Sequence, residues 1–85
     1  MLPRETLEME LFTILFEAHG LLIGGSDLIK ALGYPSGSAF RQSIARKSIP
    51  IDVFNIEKRR GKFALVTDLA RWLAEQKLKP SEVNL

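Results

Sequence analysis

The sequence predicts a small α+β domain in which a helix-turn-helix unit is followed by a β-hairpin and preceded by an additional helix. Three observations carry this. Two short helical segments, Asp27–Leu32 and Ser38–Ser48, are joined by the turn cluster Tyr34-Pro35-Ser36-Gly37. Two runs rich in Ile, Val and Phe, Ile51–Ile56 and Lys62–Val66, flank Glu57-Lys58-Arg59-Arg60-Gly61, the charged tip of a hairpin. From Glu5 to Ala18 apolar residues recur at helical spacing.

In that first helix Leu7, Leu11, Ile14, Leu15 and Ala18 form one stripe, and Met9, Phe12 and Phe16 a second, nearly opposite. Early glutamates suit its N-terminus and His19-Gly20 its end. One stripe closes the core. The other packs either beneath the last helix of the same chain or against a second copy. The expectation is a homodimer with Met9, Phe12 and Phe16 in its interface.

Leu21-Leu22-Ile23 is a short apolar run closed by Gly24-Gly25. Ser26 is the expected N-cap of the next helix, with Asp27 in its first turn and Gly33 at its end. Ile49-Pro50 stops the second helix of the pair. Thr67 is the expected cap of a last helix from Asp68 to about Lys77, with Leu69, Trp72 and Leu73 inward and Pro80 beyond. The organisation expected is an N-terminal helix at 1–20, a domain at 21–79 and a tail at 80–85, with Ser81–Leu85 frayed.

Composition narrows the chemistry. Eighty-five residues make one domain, and an apolar fraction of 46% suffices for a core. There are no cysteines, so disulfides and thiolate metal sites are excluded. His19 alone makes neither a metal site nor a catalytic triad. No enzyme, metal or cofactor is expected. The first residues lack the cationic and apolar runs of a signal peptide, and Leu11–Ile23 is interrupted by Glu17, His19 and Gly20. The expectation is a cytoplasmic protein without membrane contact.

Net charge is only +2, but its distribution is uneven. Residues 1–27 carry one base against five acids, whereas residues 28–62 carry eight bases against two acids. A basic middle beside an acidic end points to an anionic partner met by one part of the fold.

The second helix of the pair is the most informative segment. Phe40 and Ile44 supply its buried face, and the opposite arc holds Ser38, Arg41, Gln42, Ala45 and Arg46. Every long side chain on that arc is a donor, and no acid occurs between Lys30 and Ile51. A helix meant only for water gains from mixed signs, whereas one lying against phosphates and base edges is better without acids. Arg can bridge guanine O6 and N7, Gln adenine N6 and N7, and Ala tolerates close approach or a thymine methyl. Lys58, Arg59, Arg60 and Lys62, crowded at one turn, repel one another unless a polyanion neutralises them.

The order GGSDLIKALGYPSGSAFRQSIARKSIP, a basic hairpin and then VTDLARWLAEQ resembles the MerR/excisionase-type winged helix-turn-helix, including AlpA-like phage regulators and pyocin-activator-like proteins. The matching features are a helix from Ser26-Asp27-Leu28 to Leu32-Gly33, a Ser-initiated helix from Ser36 to Lys47, the pair Ile49-Pro50, a wing at Lys58–Lys62, and Thr67-Asp68-Leu69 with Trp72. The resemblance covers about Leu21 to Glu75. It implies double-stranded DNA as partner, with Arg41, Gln42 and Arg46 in the major groove and the wing on the adjacent backbone. Its role would be a transcriptional regulator or recombination directionality factor of a phage or mobile element. The turn at Tyr34–Gly37 is longer than the tightest family turn, and the N-terminal helix is not part of the minimal domain.

Other constellations are weaker. Gly24-Gly25-Ser26 lacks the lysine and spacing of a phosphate-binding loop. Glu5, Glu8 and Glu10 are read as solvated acids of a first turn, Trp72 as a core plug, and Tyr34 and Phe63 as packing residues. An amphipathic N-terminal helix also fits an adaptor module that recruits a protein partner.

Overall fold

Two three-residue strands tie the four helices together. The computed structural model describes residues 3–79, so the expected tail lies outside the described residues. In chain order these form α1 (Arg4–His19), β1 (Leu22–Gly24), α2 (Gly25–Ala31), α3 (Gly37–Ala45), β2 (Phe63–Leu65) and α4 (Val66–Leu78). The result is an α+β arrangement of helices around a two-stranded antiparallel sheet.

The sheet pairs Leu22 with Leu65, Ile23 with Ala64 and Gly24 with Phe63. Alternation sends Ile23 and Ala64 inward, where both are buried. They join Leu28, Leu32, Phe40, Val66 and Leu69 in one core. Among the described residues no polar side chain is buried.

The expected hairpin is only partly formed. Phe54 and Phe63 exchange both backbone hydrogen bonds, at 2.9 and 2.8 Å, but they make a single bridge rather than a ladder of two runs. Beyond that pair Ile51 and Val53 turn in to pack on the core, and Val66 belongs to α4. Phe63 is therefore paired on both edges, with Gly24 on one side and Phe54 on the other.

Two expected caps move. Gly24 still belongs to β1, and Gly25, with φ +60, swings the chain straight from strand into α2. Ser26 thus falls inside the helix, past the cap position, and makes no side-chain cap. Likewise α4 begins at Val66, before Thr67, because the Val66 N–H donates to Leu21 O at 2.9 Å in continuation of the sheet. The carbonyl of Leu21, just before β1, satisfies a donor that a side-chain cap otherwise would.

α1 runs antiparallel to α4, as the pairs Arg4–Glu75 and Glu8–Arg71 require. Its inward side is Leu11, Phe12 and Leu15, flanked by Leu7, Glu8 and His19. The two-stripe division is corrected in this way: Phe12 packs on its own chain's core, whereas Ile14, expected inward, is 63% exposed and Ala18 is exposed too. The physical reason is the small residues of α4. Ala70 and Ala74, one turn apart and fully buried, keep the α1-facing side of α4 low, and Phe12 and Ala70 border the same cleft between the two helices.

Gly24 is fixed by space. A Cβ there would stand 2.5 Å from Phe63 Cδ1 and 3.0 Å from the Lys62 carbonyl oxygen. Gly24→Ala must push the ring off β1, and urea unfolding is expected to register a loss of about 1–3 kcal/mol, as for other overpacked sites. An unchanged midpoint would mean that the ring does not depend on that gap.

Candidate nucleic-acid interface

The rotation of α3 is set by its cap and by two side chains. Ser36 is extended, and its Oγ accepts from the Ala39 N–H at 3.1 Å, satisfying one of the donors a helix start leaves open. Phe40 is buried edge-on to Tyr34, with ring centroids 5.8 Å apart, and Ile44 follows one turn later against the same core. Tyr34 is thus a packing residue.

With Phe40 and Ile44 inward, Ser38, Arg41, Gln42 and Ala45 point outward. Ser38 lies three and four residues before Arg41 and Gln42, and Ala45 four and three after them, which makes one continuous face, and all four are exposed. α3 is shorter than expected. It ends at Ala45 because Lys47 takes a left-handed backbone and the Ser48 N–H returns to the Ser43 carbonyl at 2.9 Å. Arg46 therefore sits at the C-cap, still exposed.

The hairpin tip turns where the Arg59 N–H donates to Ile56 O at 3.0 Å. Lys58, Arg59 and Arg60 are exposed there, and Lys62 is half-buried. An open cleft of about 490 Å³ separates α3 from this hairpin. Ile29, Phe40 and Ile44 line it, with Arg41 and Ala45 on the helix side and Gly61 and Lys62 on the hairpin side. The cleft brings Arg41, Ala45 and Lys62 together, while Lys58, Arg59 and Arg60 lie beyond it on the turn. The Arg41 guanidinium leans back over the first turn of α3, since a Cβ on Gly37 would be 3.1 Å from its Nη1.

Electrostatics divide the arginines. Arg4 meets Glu75 at 2.6 Å, and Arg71 meets Asp68 at 3.2 Å and Glu8 at 3.7 Å. Among the described residues Arg41, Arg46, Arg59 and Arg60 make no ion pair, nor do the lysines at 47, 58 and 62. The acids that meet arginines are Glu8, Asp68 and Glu75, all on α1 or α4.

The three residues expected at a dimer interface are not equivalent. Met9 and Phe16 are 63% and 45% exposed, and the Phe16 ring stacks on that of Phe12 at 5.6 Å between centroids. Phe12 itself is half-buried. Among the described residues no helix is long and apolar enough to cross a membrane, and no group of three His, Cys, Asp or Glu is placed to hold a metal ion. The apolar walls Ile29 and Ile44 were not expected at the site. Their helical spacing marks them as apolar-face residues but not as edges of a cleft.

No protein-family model matches the chain, and neither a curated protein nor a solved structure matches it.

Proposed function

We propose that this chain is a winged helix-turn-helix that binds double-stranded DNA by sequence, acting by binding rather than catalysis. One observation carries the reading. The arginines of α1 and α4 are ion-paired, whereas Arg41 and Arg46 of α3 and its C-cap and Arg59 and Arg60 of the hairpin are exposed and, among the described residues, without an ion pair, on two elements that share a cleft. Unpaired guanidinium groups beside a capped helix with a donor-only outer face suit a polyanion whose grooves also present acceptors. Arg41 and Gln42 are the base readers of this proposal, Ser38, Ala45 and Arg46 their neighbours, and Lys58, Arg59, Arg60 and Lys62 the wing on the flanking backbone. The excisionase-like resemblance makes it a cytoplasmic regulator or a recombination directionality factor of a phage or mobile element.

We further propose that it works as a homodimer. One unit of this size reads few base pairs, so selective binding needs a second copy or partner. The flank of α1 that carries Met9 and Phe16, two turns apart and both exposed, is the apolar surface on offer. Covering Met9 and Phe16 in both subunits is worth on the order of 5 kcal/mol before association costs, enough for a modest dimer. The same surface also suits an adaptor that recruits another protein, a reading separated from DNA binding by its weak response to salt.

Three outcomes are expected. Fluorescence anisotropy with a labelled duplex should give a log–log salt slope of about −4 to −5 per subunit if four to six phosphates are neutralised. A flat response between low and physiological salt excludes the DNA reading. Arg41→Ala and Gln42→Ala should each cost about 1–3 kcal/mol at a selected site and relax its sequence choice, whereas Arg59→Ala/Arg60→Ala should weaken all duplexes alike. An identical loss pattern in both sets would remove α3 as the reader. In sedimentation at tens of micromolar the wild type should be dimeric, and Met9→Glu/Phe16→Glu a folded monomer. A monomeric wild type would end the dimer.

A further inference from the structure

Six of the described residues have a left-handed backbone. Four are glycines, at 20, 25, 33 and 61; the other two are Lys47, with φ 57, and Lys58, with φ 66. This region crowds the Cβ of any L-residue, and lysine has none of the local hydrogen bonding that lets Asn or Asp tolerate it.

The chain supplies its own comparison. After α2 the Gly33 N–H returns to Lys30 O at 3.0 Å and the Tyr34 N–H to Ile29 O at 3.1 Å. After α3 the Lys47 N–H returns to Ile44 O at 3.0 Å and the Ser48 N–H to Ser43 O at 2.9 Å. Both are Schellman closures, whose left-handed position favours glycine. Gly33 fills it in the first; Lys47 occupies it in the second. The hairpin repeats the exception. The bond from the Arg59 N–H to Ile56 O places Lys58 third in a four-residue turn, where a positive φ again favours Gly or Asn. Three residues later, at Gly61, glycine is used.

Both exceptions are exposed lysines on the basic surface, and neither side chain makes an ion pair among the described residues. The helix dipole favours a cation at the end of α3, but no helix ends at Lys58. Strained backbone that persists where glycine would relieve it points to a role for the side chain.

We propose that Lys47 and Lys58 are phosphate-contacting residues, held in left-handed backbone at the expense of stability because their charge is needed there. The inference rests on the DNA reading and adds Lys47, beyond the α3 outer face, to the interface. It makes α3 end on a phosphate anchor just past its base-reading arc, and gives the wing a second anchor at the head of its basic run.

The test uses Lys47→Gly, Lys58→Gly, the double variant, and the charge-preserving Lys47→Arg and Lys58→Arg. Thermal midpoints are read beside anisotropy with a labelled mixed-sequence 30-base-pair duplex over a salt series. Each glycine variant is expected to melt about 3–6 °C higher. Each should nevertheless bind several-fold more weakly, with a salt slope shallower by about one per subunit, and by about two in the double variant. The arginine variants should keep the wild-type slope and midpoint. Glycine variants that bind with the wild-type slope overturn the phosphate contacts, and ones that melt no higher overturn the strain. A wild type that ignores the duplex overturns this inference together with the DNA reading, a result distinct from wild-type binding that survives both glycine changes.

Discussion

The Phe63 ring lying across Gly24 is the contact on which the arrangement of the other elements depends. Phe63 is paired to β1 through one edge of its backbone and to Phe54 through the other, so a single residue joins the hairpin to the sheet. Directly after β1 the chain enters α2, and directly after β2 it enters α4. The relative setting of α2, α4 and the hairpin therefore passes through three residue pairs and one bridge. That economy requires a side chain to be missing at position 24, and the ring fills the space. The core beneath it, Ile23, Ala64, Val66 and Leu69, is correspondingly dry and apolar.

Charge is partitioned as sharply as shape. α1 and α4 lie antiparallel with Arg4, Glu8, Asp68, Arg71 and Glu75 meeting one another along their seam. These exposed pairs contribute little stability each. Among the described residues they involve Glu8, Asp68 and Glu75, while Asp52 and Glu57, nearer the hairpin, form no ion pair with its cations.

Much of this was legible in the sequence because it follows from local rules. The turn at Tyr34–Gly37, the alternation of buried and outward residues on α3, and the basic hairpin tip all emerge from spacing and residue type. The outer face of α3, Ser38, Arg41, Gln42 and Ala45, is exposed as its pattern placed it, while Arg46 falls at the C-cap instead of within the helix. What escaped was decided at a distance. Ser26 and Thr67 look like caps in isolation, yet strand pairing at Gly24 and Leu21 claims those helix starts first. The inward side of α1 is set by packing against α4, more than fifty residues away, and so Phe12 lies on the core while Ile14 is exposed. The left-handed turn at Lys47 has no sequence signal, since lysine is not a residue that announces it.

The single bridge at Phe54 and Phe63 has a thermodynamic consequence. Residues 55–62 hang from one pair of hydrogen bonds instead of a ladder, so the free hairpin retains conformational entropy that a fully zipped one would already have lost. Seating it on any rigid surface removes that freedom, and part of the attraction of its cations is offset in doing so. In exchange the tip can settle against surfaces of differing width without disturbing the sheet. A contact made by this element would thus be moderated in strength, while its tolerance of shape would be broadened.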